Sequence, residues 1–79
     1  MSSAPLKILL IEDHADTARM MRVVLERQGY VVQLANSAAQ AGVATEQDQF
    51  DLCLCDLRLP DGDGQTLSSN LFSRYGLKC

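Results

Sequence analysis

Phe50-Asp51-Leu52-Cys53-Leu54-Cys55-Asp56-Leu57-Arg58-Leu59-Pro60-Asp61-Gly62-Asp63-Gly64 is the stretch on which the fold turns. Residues 52–55 are apolar at every position, so the spacing predicts a short strand with no solvent face, buried on both sides of a sheet. The run stops at Asp56, and residues 59–64 then supply the densest turn chemistry in the chain. Beyond it Leu67, Leu71 and Phe72 recur at helical spacing up to Gly76, which predicts a third helix ending near residue 75.

Upstream, residues 7–11 form a nearly unbroken apolar run of strand length that ends at the acidic pair Glu12-Asp13 and the polar His14. The period then changes: Ala18, Met21, Val24 and Leu25 lie three or four apart, while Arg19, Arg22 and Glu26 hold the other side of an amphipathic helix. Asp16 is the expected N-cap and Gly29 fits the left-handed position that ends many helices, giving a helix over about residues 16–28. Residues 30–35 read as a strand at an edge or exposed on one face, because Gln33 interrupts the apolar residues. Asn36-Ser37 offers a cap for a helix of small residues that ends near Glu46 despite Gly42. Strand and helix alternate three times, which predicts an α/β fold with a parallel sheet. Leu77-Lys78-Cys79 reads as the first residues of a further strand.

The chain has 79 residues, enough for one domain, and at that size folding buries only about 60% of the surface that an unfolded chain exposes. Its net charge of −3 comes from scattered acids and bases, with no basic stripe, so no direct nucleic-acid contact is expected. The first apolar run is too short for a signal peptide or a membrane span, and the chain reads as cytoplasmic, away from the membrane. Cys53 and Cys55 alternate along the third strand and read as small buried hydrophobes, not as a metal or redox pair. Cys79 is the expected free thiol.

In an open parallel sheet, ligands collect outside the carboxyl ends of the strands, where Glu12, Asp13 and Asp56 fall. With neighbouring strands about 4.8 Å apart, adjacency of strands 1 and 3 would bring these carboxylates into one pocket. Like charges so crowded disfavour one another, and a hard divalent cation relieves the conflict. Mg²⁺ suits the set, since it takes one or two carboxylates and welcomes phosphate oxygens, whereas Ca²⁺ asks for more protein ligands. An aspartate beside such an ion can act as a nucleophile toward phosphorus. The same acids also read as ordinary solvated loop residues. His14 reads as a solvated loop residue, and Met20 and Met21 as packing groups.

Taken in order, Ile8-Leu-Leu-Ile-Glu12-Asp13-His and the quoted stretch from Phe50 to Gly64 resemble the response-regulator receiver domains of two-component signalling, over residues 6–76. The resemblance implies a flavodoxin-like fold, here an incomplete one with three strands in the order 2-1-3, over residues 6–79 after a tail of residues 1–5. It implies that Asp56 accepts a phosphoryl group from a sensor histidine kinase or a phosphotransfer protein, with Mg²⁺ as cofactor. Glu12 and Asp13 match the family's acidic pair, Asp56 its acceptor, and Arg58 the position whose backbone carbonyl also binds the metal. Pro60 and Gly64 match positions that shape the loop after the acceptor. Such a module is regulatory, not an enzyme with turnover.

The family's fourth strand ends in Ser or Thr and its fifth in Lys, and neither strand is expected within these residues. Ser68, Ser69, Ser73 and Lys78 cannot be carried over to those roles. An order of 2-1-3 would leave strand 3 as an open edge that invites pairing, so a homodimer is the expected assembly of the chain taken alone. The alternative to a signalling receiver is then a truncated one that self-associates without signalling. A phosphohydrolase or calcium loop built on Asp61-Gly62-Asp63 fits poorly. The calcium loop would need Glu where Phe72 stands, and the hydrolase pair should follow an apolar strand directly.

Overall fold

The computed structural model describes residues 5–55, 58, 59 and 61–79, with Arg58 described through its backbone. Asp56, Leu57, Pro60 and residues 1–4 lie outside that set. The elements follow in the order β1 (Lys7–Ile11), α1 (Ala15–Arg27), β2 (Val31–Ala35), α2 (Ala38–Gln47), β3 (Leu52–Cys55), β4 (Arg58–Leu59), β5 (Gly62–Asp63) and α3 (Gly64–Tyr75).

The first three strands form one parallel sheet in the order β2-β1-β3, as the alternation of strand and helix predicts. β1 is the central strand, and Ile8, Leu9, Leu10 and Ile11 are essentially removed from solvent. At about 1.5–3 kcal/mol for each fully buried aliphatic side chain, this run is a main source of the driving force for folding. Alternation splits it between the two faces. Leu9 and Ile11 join Cys53, Ala41, Ala44, Leu67 and Leu71 in the core beneath α2 and α3. Leu10 instead shares a cleft with Met21 of α1 and Leu54 of β3.

That second face is thinly covered, and the expectation that β3 is buried on both sides fails there. Leu52 is 36% exposed and Leu54 is half-buried, because α1 alone packs on this side among the described residues. The same shortage of cover leaves Val24 of α1 exposed, while Arg22, read onto the solvent side, is half-buried and lies 3.9 Å from Glu26. Phe72 is likewise exposed, and Leu67 and Leu71, after Gly64, carry the buried stripe of α3.

The helix ends follow local rules, with one change. α1 begins at Ala15 after an extended His14 that makes no side-chain cap, and Asp16 sits inside the first turn instead of capping it. There its charge still complements the helix dipole and it pairs with Arg19. Gly29 does take the left-handed conformation after this helix, with φ of 96°. Ser37 caps α2 by accepting the Gln40 amide at 3.1 Å. β4 and β5 pair antiparallel as a small hairpin where the sequence predicts only a turn.

Gly76, with φ of 67°, ends α3 and turns the chain back toward the sheet. Leu77 enters the core, and the Cys53 amide donates to the Lys78 carbonyl at 2.8 Å, so residues 77–79 lie beside β3 as the start of a further strand would. Cys79 is bonded through its sulfur to Cys53, which corrects the expectation of a free thiol at Cys79 and of Cys53 as a simple buried hydrophobe. Pairing across neighbouring chain segments brings together residues 26 apart in sequence. It also covers part of the edge of β3 that was expected to stand open.

Candidate functional site

Glu12 follows β1 directly, and its amide continues the ladder by donating to the Ala35 carbonyl at 2.9 Å. That bond fixes where the chain leaves the sheet. The His14 amide then donates to Glu12 Oε2 at 3.2 Å, folding the turn back on itself. His14 Nδ1 stands 3.3 Å from Glu12 Oε2 and 3.3 Å from Asp13 Oδ1. One ligand atom from each of the three residues lies within 4.8 Å of the others. The side chains are 13% exposed for Glu12, 34% for Asp13 and 75% for His14, so the carboxylates grade from the protein into water while the imidazole caps them from outside.

On the neighbouring strand, Leu9 is opposite Cys53 and Ile11 is opposite Cys55. β1 and β3 therefore end level with each other at the carboxyl edge of the sheet, one residue before Glu12 and one before position 56. Glu12 and Asp13 are brought together as the sequence predicts. Asp56 lies outside the described residues, and Arg58 falls in β4, opposite Asp63. His14 is exposed as expected, but its contact with both acids was not anticipated. Its only signal in the sequence is adjacency.

The donor set fits a hard cation in its oxygens. Two carboxylates that converge at a sheet edge while retaining access to water match the preference of Mg²⁺ for a few protein oxygens plus solvent. An imidazole nitrogen suits softer ions better, so His14 is a poorer match for Mg²⁺ than the two carboxylates.

Two further acids tie residues 61–63 to neighbouring helices. Asp61 reaches across to α2, its carboxylate oxygens accepting the Ala38 amide at 2.8 Å and the Ala39 amide at 3.0 Å. Asp63 caps α3, accepting the Gln65 amide at 2.8 Å, the Thr66 amide at 3.1 Å and the Thr66 hydroxyl at 3.1 Å. Both carboxyls are held below the usual carboxylate range, Asp61 by the amides of Ala38 and Ala39, Asp63 by the amide and hydroxyl of Thr66 and the amide of Gln65. Sequence reasoning missed both roles. An acid just before the Gly-Gln-Thr start of a helix is a readable cap, whereas Asp61 finds its partners more than twenty residues away.

Comparison with known proteins places this geometry in a family. The profile of the response regulator receiver domain matches residues 8–78. The alginate biosynthesis transcriptional regulatory protein AlgB of Pseudomonas syringae is 47% identical over 58 residues, which are 73% of this chain and 13% of AlgB. The response regulator protein PilR of Pseudomonas aeruginosa is 32% identical over 69 residues, 87% of this chain and 16% of PilR. Among solved structures, the non-phosphorylated HemR receiver domain from Leptospira biflexa superposes with a TM-score of 0.82 at 32% identity, covering 90% of this chain and 57% of that one. The response regulator TrrA of Thermotoga maritima, solved in complex with Mg²⁺-BeF, gives a TM-score of 0.85 over 90% of this chain and 62% of its own, at 18% identity, and shows the shared fold. The chain thus spans a small part of its curated relatives and a little over half of the solved receivers.

Proposed function

Since the chain belongs to the response regulator receiver domain family, we propose that Asp56 accepts a phosphoryl group from a histidine kinase or phosphotransfer protein in the cytoplasm, with Mg²⁺ held by Glu12, Asp13, Asp56 and the Arg58 carbonyl. The observation that carries this reading is the level ending of β1 and β3, with the Glu12 and Asp13 carboxylates clustered where β1 stops. Receiver domains are regulatory modules, and the relatives AlgB and PilR are a transcriptional regulator and a response regulator. The output of this chain is accordingly a change in partner affinity.

In the transfer, a carboxylate oxygen of Asp56 attacks phosphorus while the bond from phosphorus to the donor imidazole nitrogen breaks. The electron pair of that bond stays on the donor ring, so no proton is needed at the acceptor. Mg²⁺, when bound, neutralises charge that the phosphoryl oxygens bring to an already acidic edge. Glu12 and Asp13 supply the oxygens that hold it. Asp61 and Asp63 fasten residues 61–63 to the N-terminal ends of α2 and α3.

The test is incubation with acetyl phosphate and Mg²⁺, followed by intact mass. One added phosphoryl group is expected, not formed when a chelator withholds the metal and absent from Asp56→Asn. An adduct that forms equally with chelator present contradicts the metal assignment, and the absence of any adduct favours a receiver that does not accept phosphate.

A further inference from the structure

We propose that His14 joins Glu12 and Asp13 in a three-ligand face for a first-row transition ion of the zinc class, and so sets which metal this edge prefers. His14 thereby extends the metal-binding role proposed for the two carboxylates, on which this assignment rests, to a residue outside the set given to Mg²⁺. The chain places the imidazole there for local reasons. The Glu12 amide is tied to the Ala35 carbonyl at the end of β1, and α1 begins at Ala15, so residues 12–14 must turn within a very short span. The His14 amide fixes that turn by donating to Glu12 Oε2 at 3.2 Å. His14 directly precedes the first helical residue, where a side chain often caps the helix, but its ring makes no cap bond and lies beside the acids instead.

The distances suit a chelate. His14 Nδ1 stands 3.3 Å from Glu12 Oε2 and 3.3 Å from Asp13 Oδ1, beyond the best range for an N–H···O bond. Two donors on a tetrahedral ion, with bonds of about 2.0–2.1 Å, lie about 3.3 Å apart. All three ligand atoms lie within 4.8 Å of one another, and Asp13, whose side chain is 34% exposed, has room to turn the small distance that closes the face. One nitrogen and two carboxylate oxygens, with a position left for water, form the kind of donor set that zinc takes at open sites. Mg²⁺ prefers oxygen and keeps its waters, whereas affinity for a nitrogen-bearing site rises along the first-row series toward copper. The carboxylates serve either ion; the imidazole discriminates between them. A transition ion seated here holds the same two carboxylates that Mg²⁺ needs, so the two ions compete.

His14 is the one histidine of the chain, so its ring nitrogens can be followed alone by nitrogen NMR. Titration of the 79-residue chain with Zn²⁺ should shift Nδ1 far more than Nε2, saturate at one equivalent and move the Glu12 and Asp13 amides in step. Excess Mg²⁺ should reverse those shifts, and Mg²⁺ alone should move the same amides with little effect on Nδ1. His14→Ala should weaken Zn²⁺ binding by about tenfold or more and leave Mg²⁺ binding unchanged. A ring that stays unmoved because zinc binds at Cys55, coordination through Nε2, or a His14→Ala variant that keeps its zinc affinity or loses Mg²⁺ affinity to the same extent would each overturn the assignment. The Mg²⁺ reading is judged separately: amide shifts with Mg²⁺ alone support it whatever zinc does, and their absence contradicts it.

Discussion

Asp61 joins two parts of the chain through two charge-assisted hydrogen bonds, and its proton affinity reports that link. Its carboxyl is held below the ordinary value in the folded protein, so the unfolded chain binds a proton more readily than the native one. Folding stability from this group is therefore fully present above the unfolded value, near pH 4, and is lost as pH falls through the lower native value. Urea midpoints at pH 7 and pH 3 should differ, and Asp61→Asn should shrink that difference; an unchanged pH dependence in the variant would contradict the link. Asp63 contributes in the same direction and remains in that variant as an internal reference. Ser37, the local cap of α2, gives a second test, because Ser37→Ala should cost about 1 kcal/mol in denaturant unfolding at any pH between 5 and 8. Of these acids, Glu12 and Asp13 were legible in the sequence because a strand end places neighbours side by side. Asp61 was not, since no local pattern tells a turn residue which distant helix it will cap.

The elements themselves were largely readable, for reasons that differ from one to the next. β1 declares itself through four consecutive apolar residues after Lys7, and α1 through a clear change of period. The start of α1 was misplaced because Asp16 has the chemistry of a cap, yet helical geometry had already begun at Ala15. The β4–β5 hairpin was missed because two-residue strands have no periodicity to detect. At the C-terminal end of α3, Gly76 holds φ of 67° with open space around it, so Gly76→Ala meets no clash but does meet backbone strain. That variant should lose about 1 kcal/mol of stability, and an unchanged melting temperature would show that α3 can end another way. Leu71 is nearly inaccessible in the core between α3 and the sheet, and Leu71→Ala should cost about 2–5 kcal/mol. In a chain this short, a loss of that size is expected to abolish cooperative thermal unfolding.

For the whole molecule, the uneven covering of the sheet matters most. One face has α2 and α3 and a contiguous core; the other has α1 alone among the described helices, with Met20, Val23 and Val24 of α1 and Leu52 of β3 exposed. The order 2-1-3 of the main sheet followed from the resemblance, and the exposure of Leu52 did not, because burial depends on which elements arrive to cover a strand. This apolar surface supports the proposal that the 79-residue chain self-associates. Sedimentation at micromolar concentration should show a dimer, and a monomer there would contradict it. No described helix is long and apolar enough to cross a membrane. The central claim is more local, that position 56 at the carboxyl edge of the sheet is the phosphoryl acceptor. It is tested most directly by reacting the chain with acetyl phosphate and Mg²⁺, reducing the product with borohydride and mapping the peptides by mass. Conversion of residue 56 to homoserine, and of no other acid, is the predicted result; homoserine at another acid, or none at all, would contradict it.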